Sequence, residues 1–270
     1  MKYLLSLLTL CWSLSITAAP KSELWNYWDQ HDQSNPQEVS HQTWQQLLDS
    51  YLSQQGMHTV FDYANLQASD REKLQAYIDT LTRLDPRTLN KQQQYAYWIN
   101  LYNALTVKVV IDHYPVSSIT KIGGWFRFGP WDLPLIEIAN QKLTLNDIEH
   151  RILRPIWQDA RIHYVVNCAS LGCPNLQPEA FTADNTEHLL EQAAYEFINS
   201  DKGVKSNHRH LILSSIYQWY AEDFGSQDEL LDHLIRYRPE LANDERIKRS
   251  FRYEYDWQLN CNTNLNKNVI

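Results

Sequence analysis

Apolar residues recur at spacings of three and four through most of the chain, which predicts a largely helical protein with a few short strands. Ser40 can cap a first helix whose Trp44, Leu47, Leu48, Tyr51 and Leu52 share one face. "SDRE", Ser69 to Glu72, has the form of a capping box and opens a second helix bearing Leu74, Tyr77, Ile78 and Leu81, which Asp85-Pro86 ends. In "QYAYWINLYNALTVKVVIDHY", Tyr95, Trp98, Ile99, Tyr102, Leu105 and Val109 form a wide apolar stripe with Pro115 as the stop, so this segment is the expected spine of the core. Asn100 and Asn103 lie beside the stripe, three apart, where they can either face a neighbouring cleft or satisfy buried backbone.

After this spine the pattern breaks. "KIGGWFRFGPWDLP" reads as an exposed loop or irregular hairpin, whose Trp125, Phe126 and Trp131 can either grip an apolar or sugar ligand or pin the loop to the body. Leu135 to Leu143 suits a hairpin about Ala139-Asn140-Gln141, and Thr144 caps a helix in which Leu145, Ile148, Ile152 and Ile156 share one face. Glu149 falls at the edge of that face, and His150 shares a more polar side with Arg154. A strand is expected over Ile162 to Asn167. Strand alternation would put His163, Val165 and Asn167 on one face and Cys168 on the other, making His163 a poor direct partner for Cys168 unless "ASLG" twists the chain.

Further helices are expected in "TADNTEHLLEQAAYEFINS", with Asp184 and Glu187 as capping pair, and in "SQDELLDHLIRYR", capped by Ser226. "RHLILSSIYQWYAEDF" passes from strand to helix, and "FRYEYDWQLN" is extended. No internal repeat or low-complexity linker interrupts the chain. The pattern predicts one α/β or α+β domain, helix-rich around a small β-sheet, over residues 40–262, with an irregular lead-in at 20–39 and a frayed tail at 263–270.

Residues 1–19 carry a positive Lys2, a short apolar run and two alanines before Pro20, the pattern of a secretory signal cut after Ala18. A periplasmic or secreted protein is therefore expected, without an integral membrane segment once the signal and its Cys11 are removed. Composition narrows the function only a little. A content of 43% hydrophobic residues supplies ample core, so the fold need not lean on disulfides. A net charge of -8 argues against nucleic acid as a partner and leaves a small-molecule, peptide or glycan ligand open.

The chemistry concentrates in "RIHYVVNCASLGCPNL", Arg161 to Leu176. Cys168, Cys173 and Cys261 survive processing, and an odd number in an oxidising compartment leaves at least one thiol without an intramolecular partner. Either motif cysteine can serve as a nucleophile if a nearby group holds it ionised. His150 or His163 is then the candidate base, with Glu149 or Asn167 to orient the imidazole. The competing expectation is a Cys168–Cys173 disulfide, whose small ring would stabilise by about 2 kcal/mol. The Cys/His spacing matches no standard zinc pattern, and no metal or other cofactor is expected.

The stretches "AYWINLYNALTVKVV", "TLNDIEHRILRP", "RIHYVVNCASLGCP" and "YQWYAEDFG", with "YDWQLN" as a weaker fifth, resemble the DUF547 family, a domain of unknown function. The resemblance marks Asn100, Asn103, Glu149, His150, His163, Asn167, Cys168 and Cys173 as positions to inspect. It implies no established activity. Many members read "NCGA" where this chain reads "NCAS", so Ala169 in place of glycine counts against any mechanism that needs a left-handed backbone or a close ligand approach there. The order of helix and strand is also somewhat similar to the papain and transglutaminase superfamily, as analogy only. Two functions remain at this level: a thiol-dependent hydrolase or acyl transferase with Asn100, Asn103, Trp125 and Trp131 near its substrate, and a non-catalytic binding domain with its motif cysteines bonded.

Overall fold

The computed structural model describes residues 19–124, 128–207, 209–248 and 251–261. The export signal, except Ala19, the tail at 263–270 and the ligand-gripping role of Trp125 and Phe126 lie outside the described residues. The architecture is α+β. Helices α1 (Gln42–Tyr51) and α2 (Ala68–Arg83) pack beside the long central α3 (Lys91–His113). A hairpin of β1 (Leu52–Gln55) and β2 (His58–Phe61) links α1 to α2, and a second one joins β3 (Ile136–Ile138) to β4 (Gln141–Leu143).

Next comes an unusual helix, with a π-helical stretch Asp147–Leu153 running into α4 (Arg154–Trp157), and a 3-10 turn Ala160–Tyr164. Helix α5 (Thr186–Ile198) leads to β5 (Val204–Ser206) and β6 (Leu211–Ser214). Two short helices, α6 (Ile216–Trp219) and α7 (Ala221–Phe224), are followed by α8 (Gln227–Tyr237) and the strand β7 (Arg252–Glu254). Strand β6 pairs antiparallel to β5 and parallel to β7; among the described residues the strands form three separate small sheets rather than the one sheet expected, and no succession of parallel β-α-β units supports the α/β alternative.

Helix α3 is buried along nearly its whole length, because apolar residues on its outer turns meet α2 on one side and the π-helical stretch on another. Asn90 caps it by accepting from the Gln93 N–H at 2.9 Å. Trp98, at 1% exposure, meets Trp28 edge to face at 5.3 Å, so the lead-in at 20–39, though irregular, adds to the core. Among the described residues no helix is long and apolar enough to cross a membrane.

Several local expectations fail for identifiable reasons. The "SDRE" run does not cap α2, which starts at Ala68, and Asp70 instead receives the Tyr51 hydroxyl and Lys73. Asp184 and Glu187 do not cap α5. Thr182 and Asn185 bond each other there, and Glu187 turns to Arg161. Ile162 to Asn167 is not a strand: Ala160–Tyr164 is a 3-10 turn in which Asp159 accepts from Arg161 N–H, and among the described residues no strand pairs with it. The alternation that separated His163 from Cys168 therefore does not apply.

Candidate functional site

The loop after the 3-10 turn is shaped by buried amides. Asn103 donates to Val165 O at 2.9 Å and accepts from Asn167 N–H at 2.8 Å. Asn100, one helical turn earlier, makes the same two-way contact with Phe181, donating at 2.7 Å and accepting at 3.0 Å. Both are almost fully buried, so they anchor backbone and do not line an open cleft. Asn167 likewise holds its own loop, accepting from Ala169 N–H and donating to Pro174 O. It does not touch an imidazole. Replacing Asn103 with Ala is expected to lower stability by about 1–3 kcal/mol, since Val165 O and Asn167 N–H would stay buried without partners; urea unfolding reads this directly.

Ala169 adopts φ +55°, the left-handed conformation that glycine takes freely and alanine resists. The strain is held by the Asn167 side chain on one side and by Asn260 N–H, bonded to Ala169 O at 2.9 Å, on the other. The C-terminal segment laces the loop further: Leu171 N–H reaches Gln258 O and Gly172 N–H reaches Asp256 O. A side chain at Gly172 would strike Asp256 N at 2.7 Å, so this close approach requires glycine.

Cys168 and Cys173 are not bonded. Their sulfurs stand 2.9 Å apart, against about 2.05 Å for a disulfide. The two differ sharply. Cys173 is 2% exposed, and burial, reinforced by Cys168, pushes its thiol well up. Cys168 is partly exposed, with the Tyr255 and Ser170 hydroxyls 2.9 and 3.3 Å from its sulfur. Burial alone would raise this thiol too, but hydrogen bonds from Cys173, Ser170 and Tyr255 outweigh it and the repulsion of Glu149, holding it below the ordinary range. When Cys168 ionises, the proton between the sulfurs stays on Cys173. Cys261 is buried at the end of the described chain.

Nearby lies a buried charged network. The π-helical stretch carries Glu149 and His150 inward, at 4% and 3% exposure, rather than at the edge and on the polar side as 3.6-residue spacing suggests, because a wider turn rotates each following side chain. Glu149 accepts from the Tyr102 hydroxyl at 2.9 Å. Arg154 donates to Asp223 at 2.5 Å, Glu222 at 2.8 Å and His150 Nδ1 at 3.0 Å. A guanidinium has no lone pair to offer, so His150 Nδ1 is the acceptor and that ring carries its proton on Nε2. Burial agrees, lowering His150 to about 4. A neutral His150 lends Glu149 no positive charge. Although burial opposes ionisation of Glu149, its carboxyl is still held below the ordinary value, and near neutral pH the Tyr102 hydroxyl and Arg154 are the surest of its supports.

His163 places Nε2 2.6 Å from Asp223 Oδ2 and stacks on Tyr220 at 3.9 Å. Its Nδ1 is buried without a hydrogen bond, 3.9 Å from Glu149 Oε1. Burial opposes ionisation of Asp223, but hydrogen bonds from His163 and Arg154 prevail and lower it to about 2. No hydrogen bond links His150 or His163 to either sulfur among the described residues. The charge on Cys168 is nonetheless felt by Glu149, Tyr102 and Tyr220, which places thiol and network in one electrostatic neighbourhood.

Partly exposed aromatic rings extend from Tyr255. Trp219 and Trp257 lie 4.8 and 4.6 Å from it, and Trp131 meets Trp257 at 5.7 Å, with the exposed Phe128 against both Trp131 and Trp257. Trp131 is thus pinned to the body, at the far end of a row of rings whose near end, Tyr255, contacts Cys168. Asp223, Tyr255, Tyr220 and Trp257 were not among the site residues expected from sequence; only their place in "YQWYAEDFG" and "YDWQLN" hinted at them. A separate cavity of about 310 Å3 between α2, α3 and the β3–β4 hairpin holds neither thiol nor imidazole. No group of side chains suited to a metal ion occurs among the described residues.

No curated protein and no solved structure matches the chain. Residues 86–198 match the model of the family described as "Protein of unknown function, DUF547".

Proposed function

We propose that this chain is an exported thiol-dependent hydrolase or acyl transferase with Cys168 as nucleophile. The observation that carries the reading is the partly exposed Cys168, whose thiol is held below its ordinary range by hydroxyl and thiol donors, together with a His163–Asp223 pair whose second ring nitrogen is unengaged. Cys168 is preferred to Cys173 because a fully buried, protonated thiol neither reaches a substrate nor attacks it. His163 is preferred to His150 because Asp223 fixes its orientation while Nδ1 stays open to a proton, whereas Nδ1 of His150 is taken by Arg154. Glu149 sits behind both rings as a fixed negative charge.

In this reading the thiolate attacks a substrate carbonyl, and the collapsing intermediate expels its leaving group with a proton supplied through His163 or Tyr255. Water or an amine then takes the acyl group from the thioester. Trp131, Trp219 and Trp257 offer apolar faces to the substrate, which suits an acyl chain, an aromatic side chain or the face of a sugar.

One observation favours a second reading, a binding domain without catalysis: neither imidazole contacts a sulfur. p-Nitrophenyl acetate and iodoacetamide separate the two. The enzyme reading expects a burst of one nitrophenolate, an acetyl group on Cys168, and alkylation of Cys168 at pH 6 faster than of Cys173 or Cys261. Asp223→Asn should slow turnover without stopping alkylation, and Tyr255→Phe should raise the pH midpoint of alkylation by about one unit, the equivalent of one charge-assisted hydrogen bond. Absence of an acetyl adduct, with Cys168 no more reactive than a thiol of the unfolded chain, would leave the binding domain.

A further inference from the structure

Acyl transfer uses Cys173 only as a hydrogen-bond donor to Cys168, yet its sulfur is held more closely than that role requires. It lies 2.9 Å from Cys168 Sγ and also accepts from the Cys168 backbone N–H at 2.9 Å. The loop that carries both is fixed from outside by hydrogen bonds to Asp256, Gln258 and Asn260. Moving the sulfurs from this separation to bonding distance takes under about 1 Å, a change that side-chain rotation within the loop supplies. One sulfur is reachable and the other is 2% exposed, so an oxidant meets Cys168 first and Cys173 stands behind it. The sulfur–sulfur contact exists without any imidazole, which acyl transfer requires and oxidation by a peroxide does not.

We infer that Cys168 and Cys173 form a hydroperoxide-reactive dithiol, Cys168 taking the peroxide oxygen and Cys173 resolving the product to a disulfide. The Cys168 thiolate attacks one peroxide oxygen and the O–O bond breaks. The departing alkoxide or hydroxide takes a proton from the Tyr255 hydroxyl, 2.9 Å from the sulfur, which recovers it from water. Cys168 is then a sulfenic acid. Cys173 gives up its proton as its sulfur attacks Cys168 Sγ; the S–O bond breaks and water leaves. The two thiols have lost two electrons, the peroxide has become an alcohol and water, and a dithiol reductant restores the pair. Because the disulfide has no nucleophile, oxidation also switches off the acyl transfer proposed above. This inference shares with that reading the Cys168 nucleophile and the Tyr255 hydroxyl beside it, and it does not need His163.

The test adds one equivalent of hydrogen peroxide to the full chain at pH 7, with peptide mass as the readout. A Cys168–Cys173 disulfide is expected, without dimedone adduct or sulfinate, at a rate up to about thirtyfold above a model cysteine, the gain from full ionisation of a thiol that is ordinarily a few per cent thiolate. Cys173→Ser is expected to stop at a dimedone-trapped sulfenate on Cys168 and to proceed to sulfinate with excess peroxide. His163→Ala should lose acetyl turnover and keep disulfide formation, which separates the two readings. Accumulation of sulfenate or sulfinate on Cys168 in the unaltered chain, or oxidation no faster than the model thiol, overturns the inference.

Discussion

Replacing Arg154 with Ala is expected to destabilise the fold by about 3–5 kcal/mol, the loss typical when one member of a buried ion-pair network is removed. The Arg154 side chain is only 2% exposed and joins Asp223, Glu222, His150 Nδ1 and Pro20 O through four hydrogen bonds. Without it, Asp223 keeps only His163, and Glu149 loses a supporting positive charge deep in the protein. Arg154→Lys should recover only part of the loss, because one ammonium cannot reproduce a planar fork of donors. Urea unfolding at pH 7 measures the effect, and the deficit should shrink as pH falls and the stranded carboxylates take up protons. A loss below about 1 kcal/mol, the usual worth of an exposed ion pair, would show the network to be solvated.

Stability is expected to fall between pH 7 and pH 5 as four histidines that burial holds uncharged, His41, His58, His150 and His233, meet the proton, and the two most deeply buried, His41 and His150, together account for about 4 kcal/mol of the fall. Burial lowers His41 and His150 from 6.5 to about 4. A depressed histidine favours the folded state fully above its unfolded value, and the benefit drains away as pH falls from 6.5 towards 4, because the unfolded chain binds the proton first. Over this interval each contributes about 2 kcal/mol by the difference in proton uptake. The structural cause differs between them. His41 bonds the Tyr77 hydroxyl through Nδ1 while Nε2 is buried without a partner, so a second ring proton would face no acceptor. His150 would have to charge beside Arg154. His41→Gln should remove about 2 kcal/mol of the pH dependence in urea titrations at the two pH values, and an unchanged slope would assign the acid sensitivity elsewhere.

The periodic helices were legible in the sequence because their signals are local. The stripe of α3, its proline stop, the hairpin about Ala139 and Asn140 and the Ser226 cap of α8 all depend on neighbours within a few residues, and all appear in the structure. Three of the five stretches that carry the family resemblance fall in the matched segment 86–198. "YQWYAEDFG" and "YDWQLN" lie outside it, although they supply Asp223, Tyr220, Tyr255 and Trp257 to the neighbourhood of Cys168. The strand expected at Ile162–Asn167 failed because alternation of apolar residues also suits a buried turn, and the buried amide of Asn103, not a ladder, satisfies the backbone there.

By itself the sequence determined the helical spine, the principal turns, and the presence of two cysteines five positions apart near histidines and acids, since these are matters of composition and local spacing. Tertiary structure alone decided which thiol is reachable, which imidazole has an acid partner, and that the sulfurs face each other rather than a histidine. Those outcomes depend on burial and on contacts between residues 60 to 90 positions apart, such as His163 with Asp223 and Cys168 with Tyr255. No local periodicity encodes such distances, because they are set by how the elements pack around α3.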